Sequence, residues 1–281
     1  MDRLRRHIES QVLGLTGLAL GGIDYQQPAG DPGLFGPAAV CWRVHGDFTS
    51  MMVGGISALL LQALHPLALA GVWDHSNFRE DLLGRLRRTG QFIAATTYGS
   101  RADADQLIER VRTIHLKVTG NAADGRPYAT CTQVSSFLAA HLRYRDARLP
   151  GAEQDRYFAE VALVAERLGA RQLPRSRDEV RAYFERLRPQ LQGDPRALEI
   201  LRILRAAPAP SALLQPFATL MLNAGIELLP TWATAMYDLQ PGALRRQLIR
   251  GGVRSTAPLL RWAVRNGSVH RARRRMGLPP R

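Results

Sequence analysis

The chain has 281 residues, 46% of them hydrophobic, and a formal net charge of +14, which is enough for one large domain with a substantial core. Segment 239–281 holds eleven arginines and no acidic residue, so it alone carries +11; we therefore assign any contact with an anionic membrane to this segment and expect no specific nucleic-acid partner. Cys41 and Cys131 stand outside any C-x-x-C or C-x-x-C-H pattern, which argues against a disulfide framework, a zinc ribbon and covalently attached haem.

Helical periodicity recurs from end to end and strand signals are almost absent, so the sequence predicts an all-α fold. The first predicted helix runs from Asp2 to about Ala19, and a Gly- and Pro-rich loop follows over 21–37. Glu9 and Gln11 interrupt the apolar stretch near the start, so we predict no signal peptide and expect a cytoplasmic protein. The near-complete preference for arginine over lysine is typical of a GC-rich bacterial genome.

The segment Met51–Trp73 has no charged Asp, Glu, Lys or Arg and is long enough to span a bilayer. His65, Pro66 and the pair Gly54-Gly55 favour another interpretation, a central helix buried on all sides and kinked near Pro66. We prefer the buried helix, with the membrane span as the alternative.

The next predicted helix starts near Phe78 and ends at Gly99, and Ser100 is a candidate cap before the helix predicted over Gln106–Thr119. A turn-rich stretch follows over 121–128. Further helices are predicted at about Val134–Tyr144, Gly151–Leu168, Ser176–Leu191, Asp194–Arg205 and Ser211–Leu229, before two basic amphipathic stretches. We predict one multi-helix domain over 1–238, with residues 1–30 as its N-terminal helix and loop, and a basic helical extension over 239–281 that packs on the domain or trails from it.

His115 lies on the apolar face of its predicted helix. That face is formed by Leu107, Ile108, Val111, Ile114 and Val118, which recur at spacings of three and four. A histidine in such a position is more often a core residue with satisfied hydrogen bonds than a metal ligand. Periodicity alone leaves both interpretations open.

Arg85, Arg88 and Thr89 are three and four residues apart and are predicted to share one helix face. Two guanidinium groups and a hydroxyl suit a carboxylate-bearing ligand, because arginine makes bidentate charge-assisted hydrogen bonds. Glu80 and Asp81 lie nearby, and the alternative is a solvated basic face. On periodicity alone the solvated face is favoured.

Other catalytic patterns are weaker. His65, His75 and His115 have none of the close spacings of a three-histidine metal site, and a mononuclear iron site usually includes a carboxylate. The sequence contains no G-x-S-x-G motif and no glycine-rich loop between a strand and a helix, so neither a serine hydrolase nor a phosphate-binding loop is predicted.

Several short motifs occur in an order that resembles the DUF2236 family. They are Gly33-Leu34-Phe35-Gly36-Pro37, Leu61-Gln62-Ala63-Leu64-His65-Pro66, Gly71-Val72, His75-Ser76-Asn77-Phe78, Gly84-Arg85-Leu86-Arg87-Arg88-Thr89, His115 with Gly120, and Gly125-Arg126-Pro127-Tyr128. The family includes the latex-clearing rubber oxygenases and the fungal oxygenase that cleaves a prenyl side chain in mycophenolic acid biosynthesis. The resemblance spans roughly Asp31–Leu239. The chain departs from the family pattern between Tyr128 and Val134, where it is shorter.

The resemblance implies a globin-reminiscent helical domain that holds a non-covalent haem b, with His115 at the place of the axial iron ligand. Arg85, Arg88 and Thr89 match the polar residues beside the haem. By that match, Arg85 and Arg88 are expected to bind the cofactor, and all three are expected to take part in catalysis.

The function that this resemblance implies is a haem-dependent oxygenase that acts with O2 on a small apolar or isoprenoid-like substrate, with oxidative cleavage of a carbon–carbon double bond as the family precedent. One alternative is a haem-dependent oxidase or dehydrogenase that tailors a secondary metabolite. A second alternative is a non-catalytic helical protein that binds a lipid or docks on an anionic membrane through Arg245–Arg275.

Overall fold

The computed structural model describes residues 2–16, 22–75, 78–119, 126–209 and 211–279. Over these residues it contains fourteen α-helices and no β-strand, which confirms the all-α prediction. The helices are α1 Asp2–Thr16, α2 Val40–Val44, α3 Phe48–Ala63, α4 Pro66–His75, α5 Phe78–Tyr98, α6 Arg101–Thr119, α7 Arg126–Tyr144, α8 Gly151–Arg167, α9 Arg177–Leu187, α10 Pro195–Ala206, α11 Gln215–Leu228, α12 Thr231–Met236, α13 Ala243–Ala263 and α14 Ser268–Arg275. Ser76, Asn77 and 120–125, which include most of the predicted turn-rich stretch, lie outside the described residues. Residues 126–128 of that stretch are helical, because α7 begins at Arg126, earlier than predicted.

Helix α3 is the buried central helix that the sequence predicts. Val53, Ala58 and Leu59 are buried on three different faces of it, and α7 and α11 pack along its length. Gly54 allows the closest approach, because a Cβ there would lie 2.8 Å from Cδ1 of Phe137 and 2.9 Å from the carbonyl oxygen of Ser136. The α3–α7 contact therefore requires glycine at this position.

The predicted kink near Pro66 is present. Helix α3 ends at Ala63, and α4 begins at Pro66, a residue that suits the first turn of a helix because its missing N–H has no helical acceptor there. The two helices are bent by 103°. None of the described helices is by itself long and apolar enough to cross a membrane; only α3 and α4 taken together pass that test, by length and composition.

Two buried tyrosines bind the C-terminal end of α3. The last carbonyl groups of an α-helix have no partner within the helix and need other donors when they are buried. Tyr237 donates its hydroxyl to the carbonyl oxygen of Leu60 at 2.6 Å, and Tyr128 donates to that of Leu61 at 2.8 Å. These bonds join α3 to α7 and to the end of α12.

The basic C-terminal segment packs on the rest of the domain. Helix α13 contacts α1, α3 and α11, and α14 contacts α5. Arg261 pairs with the buried carboxylate of Asp47, and the buried Arg275 donates to the carbonyl oxygens of Asp31 and Gly99. Carbonyl and carboxylate acceptors elsewhere in the chain therefore bind these arginines.

Helices α5 and α6 are neighbours and carry the predicted site residues. Asp81 interrupts the first turns of α5 with φ −141° and ψ 58°, and its carboxylate accepts from the backbone N–H of Gly84 at 2.8 Å. Helix α6 begins at Arg101, earlier than its predicted periodic part, and Ser100 caps it by accepting from the N–H of Asp103 at 3.1 Å. The predicted cap is thus confirmed.

Candidate active site

A cavity of about 420 Å³ lies between α3 and α5. It is closed by parts of α7 and α11 and by segment 264–270. Its wall is mostly apolar and includes Phe48, Met51, Met52, Ile56, Leu59 and Phe137. Volume and composition are those of a site for a small apolar molecule.

Arg85 brings a positive charge to this apolar wall. Burial lowers the pKa of its guanidinium group, and the nearby charge of Arg88 lowers it further. No carboxylate of the described residues pairs with Arg85. A charge removed from water in this way is costly until an opposite charge meets it. Arg85 therefore suits an anionic group on whatever molecule fills the cavity.

Thr89 lines the cavity one helical turn after Arg85. Its hydroxyl donates to the carbonyl oxygen of Arg85 at 3.1 Å, so its oxygen keeps lone pairs for an incoming donor. Arg85 and Thr89, which the sequence places on one helix face, are thus brought together at the cavity.

Arg88 lies elsewhere. Its side chain is 62% exposed, and it donates to the carboxylate of Asp81 at 3.0 Å. The described residues that line the cavity include Arg87, its neighbour in sequence, but not Arg88. Arg88 therefore does not join Arg85 and Thr89 at the cavity and pairs with Asp81 at the surface instead. Its role at a cofactor stays a prediction.

His115 is half-buried on α6 and is not among the residues that line the cavity. The predicted apolar face of α6 is only partly buried. Ile108, near the start of the helix, is buried, but Ile114, next to His115, is exposed. The structure does not bring His115 to Arg85 and Thr89 at one wall. Its assignment as an iron ligand stays a prediction.

The histidines that do line the cavity, among the described residues, are His45 and His270. The ring nitrogens of His45 lie 2.9 Å from the Thr97 hydroxyl and 2.9 Å from the Tyr157 hydroxyl. Burial, with a smaller effect from His141, lowers the pKa of His45 to about 3. His45 is therefore neutral and held in place at neutral pH. Sequence reasoning missed it because neither its spacing nor a helix face distinguishes it.

The residues of the cavity fit the haem that the resemblance implies only in part. The apolar wall suits a porphyrin, and Arg85 suits one of its carboxylates. A histidine ligand for its iron fits less well, because both ring nitrogens of His45 form hydrogen bonds and His115, the expected ligand, does not line the cavity. Within the described ranges, no cluster of three or more His, Cys, Asp or Glu side chains is arranged to hold a metal ion.

Comparison with known proteins places the chain in a family. The family model described as "ER-bound oxygenase mpaB/B'/Rubber oxygenase, catalytic domain" matches residues 42–262. Searches of curated proteins and of solved structures give no match. The matched span runs from α2 into the end of α13 and so contains α3, α5 and most of the cavity wall. The chain therefore belongs to the family of mpaB and rubber oxygenase catalytic domains.

Proposed function

We propose that the chain is a haem-dependent oxygenase that acts on a small apolar or isoprenoid-like substrate in the cavity between α3 and α5. Family membership supports the oxygenase class. The observation that carries the proposed site is the partly buried Arg85 in a mostly apolar cavity wall.

In this proposal the protein mainly binds the substrate and the cofactor and orients them. The apolar side chains of α3 take up the hydrocarbon part of a ligand and exclude water, while Arg85 pairs with a carboxylate of the cofactor or of the substrate. Thr89 adds a polar contact beside Arg85. A bound haem would supply the chemistry of oxygen activation. His115 is retained as the proposed iron ligand on the family resemblance alone.

Haem content tests the cofactor. We would produce the protein with a haem precursor and measure the Soret band and the iron content of the wild type, His115→Ala and His7→Ala. His7 is an exposed histidine on α1 and serves as the matched control. We expect a Soret band in the wild type and the control, and its loss or a marked shift in His115→Ala. A wild type without haem rejects the cofactor, whereas an unchanged His115→Ala spectrum rejects only the ligand assignment.

Isotopically labelled oxygen tests the reaction class. An oxygenase incorporates atoms of labelled O2 into the organic product, and cleavage of a double bond yields carbonyl fragments of lower mass. A haem-dependent oxidase or dehydrogenase, the closest alternative, yields an oxidised product without label. A mass spectrum of the products from an isoprenoid substrate distinguishes the two, and the absence of any oxygen uptake would support the non-catalytic alternative.

A further inference from the structure

Three leucines on α13 point away from the domain. Leu244 is 70% exposed, Leu248 is 67% exposed and Leu259 is 49% exposed. At 3.6 residues per turn, their spacing places all three within about 60° of one another around the helix axis. The exposed Gly251 and Ser255 lie between them on the same face and leave the leucines accessible. Together the three leucines form an apolar stripe along α13, which we call the leucine stripe.

The core of the domain does not need these leucines. Another face of α13 is buried, through Ile249, Val253, Ala257, Leu260 and Ala263. Exposed single leucines are ordinary on protein surfaces. Several in one row on the exposed face of a helix indicate a surface that a lipid layer or another molecule covers.

Positive charge borders the leucine stripe. Arg245 and Arg254 are exposed and lie on its two sides. Segment 239–281 has no acidic residue. The nearby Glu227 on α11 is buried and neutralised by Arg143 at 2.8 Å and Arg250 at 2.6 Å. The face therefore combines an apolar strip with basic margins.

This combination fits an anionic lipid surface. An interfacial helix buries its apolar side chains at the level of the headgroups while arginines at its borders bind lipid phosphates. Nucleic acid would use the arginines but gains little from a row of leucines. A second copy of the chain would set the arginines of one α13 against those of the other, without acidic residues to balance them.

The leucine stripe lies on elements that also reach the cavity. Helix α13 packs on α11, whose Ala218 and Thr219 line the cavity, and Val264 directly after α13 lines it as well. Helix α1 packs on α13, contributes Val12 to the cavity wall and carries the exposed Leu4. The leucine stripe therefore lies on a helix whose packing neighbours α1 and α11 both line the cavity.

We propose that the protein docks on anionic lipid surfaces through α13, with Leu244, Leu248 and Leu259 in the interfacial layer and Arg245 and Arg254 on the lipid headgroups. The docking surface is independent of haem and of turnover. It can therefore be tested even if the proposed oxygenase function fails.

Vesicle co-sedimentation of the full chain tests the proposal. The test variant is Leu244→Ser/Leu248→Ser. The matched control is Leu163→Ser/Leu198→Ser, which changes two leucines of 46% and 43% exposure on α8 and α10. We expect the wild type and the control to bind phosphatidylcholine vesicles that contain phosphatidylserine. The α13 variant should bind at least about tenfold more weakly, because burial of one leucine side chain is worth a factor of ten or more.

Further measurements on the same samples separate the alternatives. Binding should fall with added salt and on vesicles of phosphatidylcholine alone. Equal vesicle binding by the wild type and the α13 variant would overturn the proposal. A dimer of the wild type in light scattering that the α13 substitutions dissociate would also overturn it, because a second copy of the chain would then cover the leucine stripe. Tighter binding to duplex DNA than to anionic vesicles, unchanged in the α13 variant, would also overturn it.

Discussion

The substitution Asp47→Ala should destabilise the protein by about 4 kcal/mol. Asp47 is only 4% exposed and accepts two hydrogen bonds from Arg261, at 2.7 and 3.1 Å. It also caps α3 by accepting from the N–H of Ser50 at 3.1 Å. Removal of one partner of a buried ion pair typically costs about 3–5 kcal/mol, and loss of a cap costs about 1 kcal/mol. Arg261 is 28% exposed and keeps its bond to the carbonyl oxygen of Tyr144, which favours the lower end of the combined range.

Urea unfolding followed by far-UV circular dichroism measures the effect. The matched control is Asp178→Ala, which breaks the exposed pair of Asp178 with Arg181 and should change the free energy of unfolding by less than about 1 kcal/mol. An Asp47→Ala protein as stable as the control would refute the reasoning. It would mean that the contact of α13 with the start of α3 does not hold the C-terminal segment on the domain.

The effect of Asp47→Ala should also depend on pH. Burial raises the pKa of Asp47, but hydrogen bonds from Arg261 and Ser50 outweigh burial, and the pKa lies below its ordinary value. A carboxylate with a lowered pKa in the folded state stabilises the protein above its unfolded pKa of about 4, and this contribution disappears as the pH falls through the folded value. The difference in stability between wild type and Asp47→Ala should therefore shrink below about pH 4.

Three further predictions concern the cavity and the core. Arg85→Gln should weaken binding of a fatty-acid probe about tenfold in a fluorescence titration, whereas Arg88→Gln should leave it unchanged; equal affinities would contradict the assignment of Arg85 to the cavity. Gly54→Ala should lower the free energy of unfolding by about 1–3 kcal/mol because its Cβ meets α7, while Gly71→Ala, with open space at its Cβ, should be neutral or slightly stabilising in calorimetry. Burial lowers the pKa of His45 to about 3, so the unfolded chain takes up a proton near pH 6.5 that the folded chain does not. The free energy of unfolding should therefore fall below about pH 6.5, and less so in His45→Gln. An equal loss in both proteins between pH 7 and pH 5, measured by urea unfolding, would count against this account.

The local features of the fold were predictable because they depend on neighbours in sequence. The charge-free stretch from Met51 predicts the buried α3, and Pro66 predicts its break. The four-residue spacing of Arg85 and Thr89 predicts that they share one face, and both line the cavity. In each case the helical period alone relates the residues to one another.

The non-local features could not be predicted in the same way. Asp47 and Arg261 are 214 residues apart, and Arg275 reaches the carbonyl group of Gly99 across 176 residues. No periodicity or spacing connects such partners before the helices are packed. Arg88 is a different case. It pairs with Asp81, a residue at a bend near the start of α5 that helical periodicity does not predict.

Oxygen uptake by a cavity-filled variant tests the central claim most directly, namely that the cavity between α3 and α5 is the oxygenase site. Gly55 lines the cavity, and a Cβ there would make only an ordinary contact, 3.8 Å from Cε1 of Phe137. Gly55→Phe should therefore fill the cavity without displacing the backbone, and Gly71→Phe on α4, away from the cavity, is the matched control. The account predicts product-coupled oxygen uptake with an isoprenoid substrate in the wild type and Gly71→Phe, and at least tenfold less in Gly55→Phe. Undiminished turnover by a folded Gly55→Phe protein would contradict it.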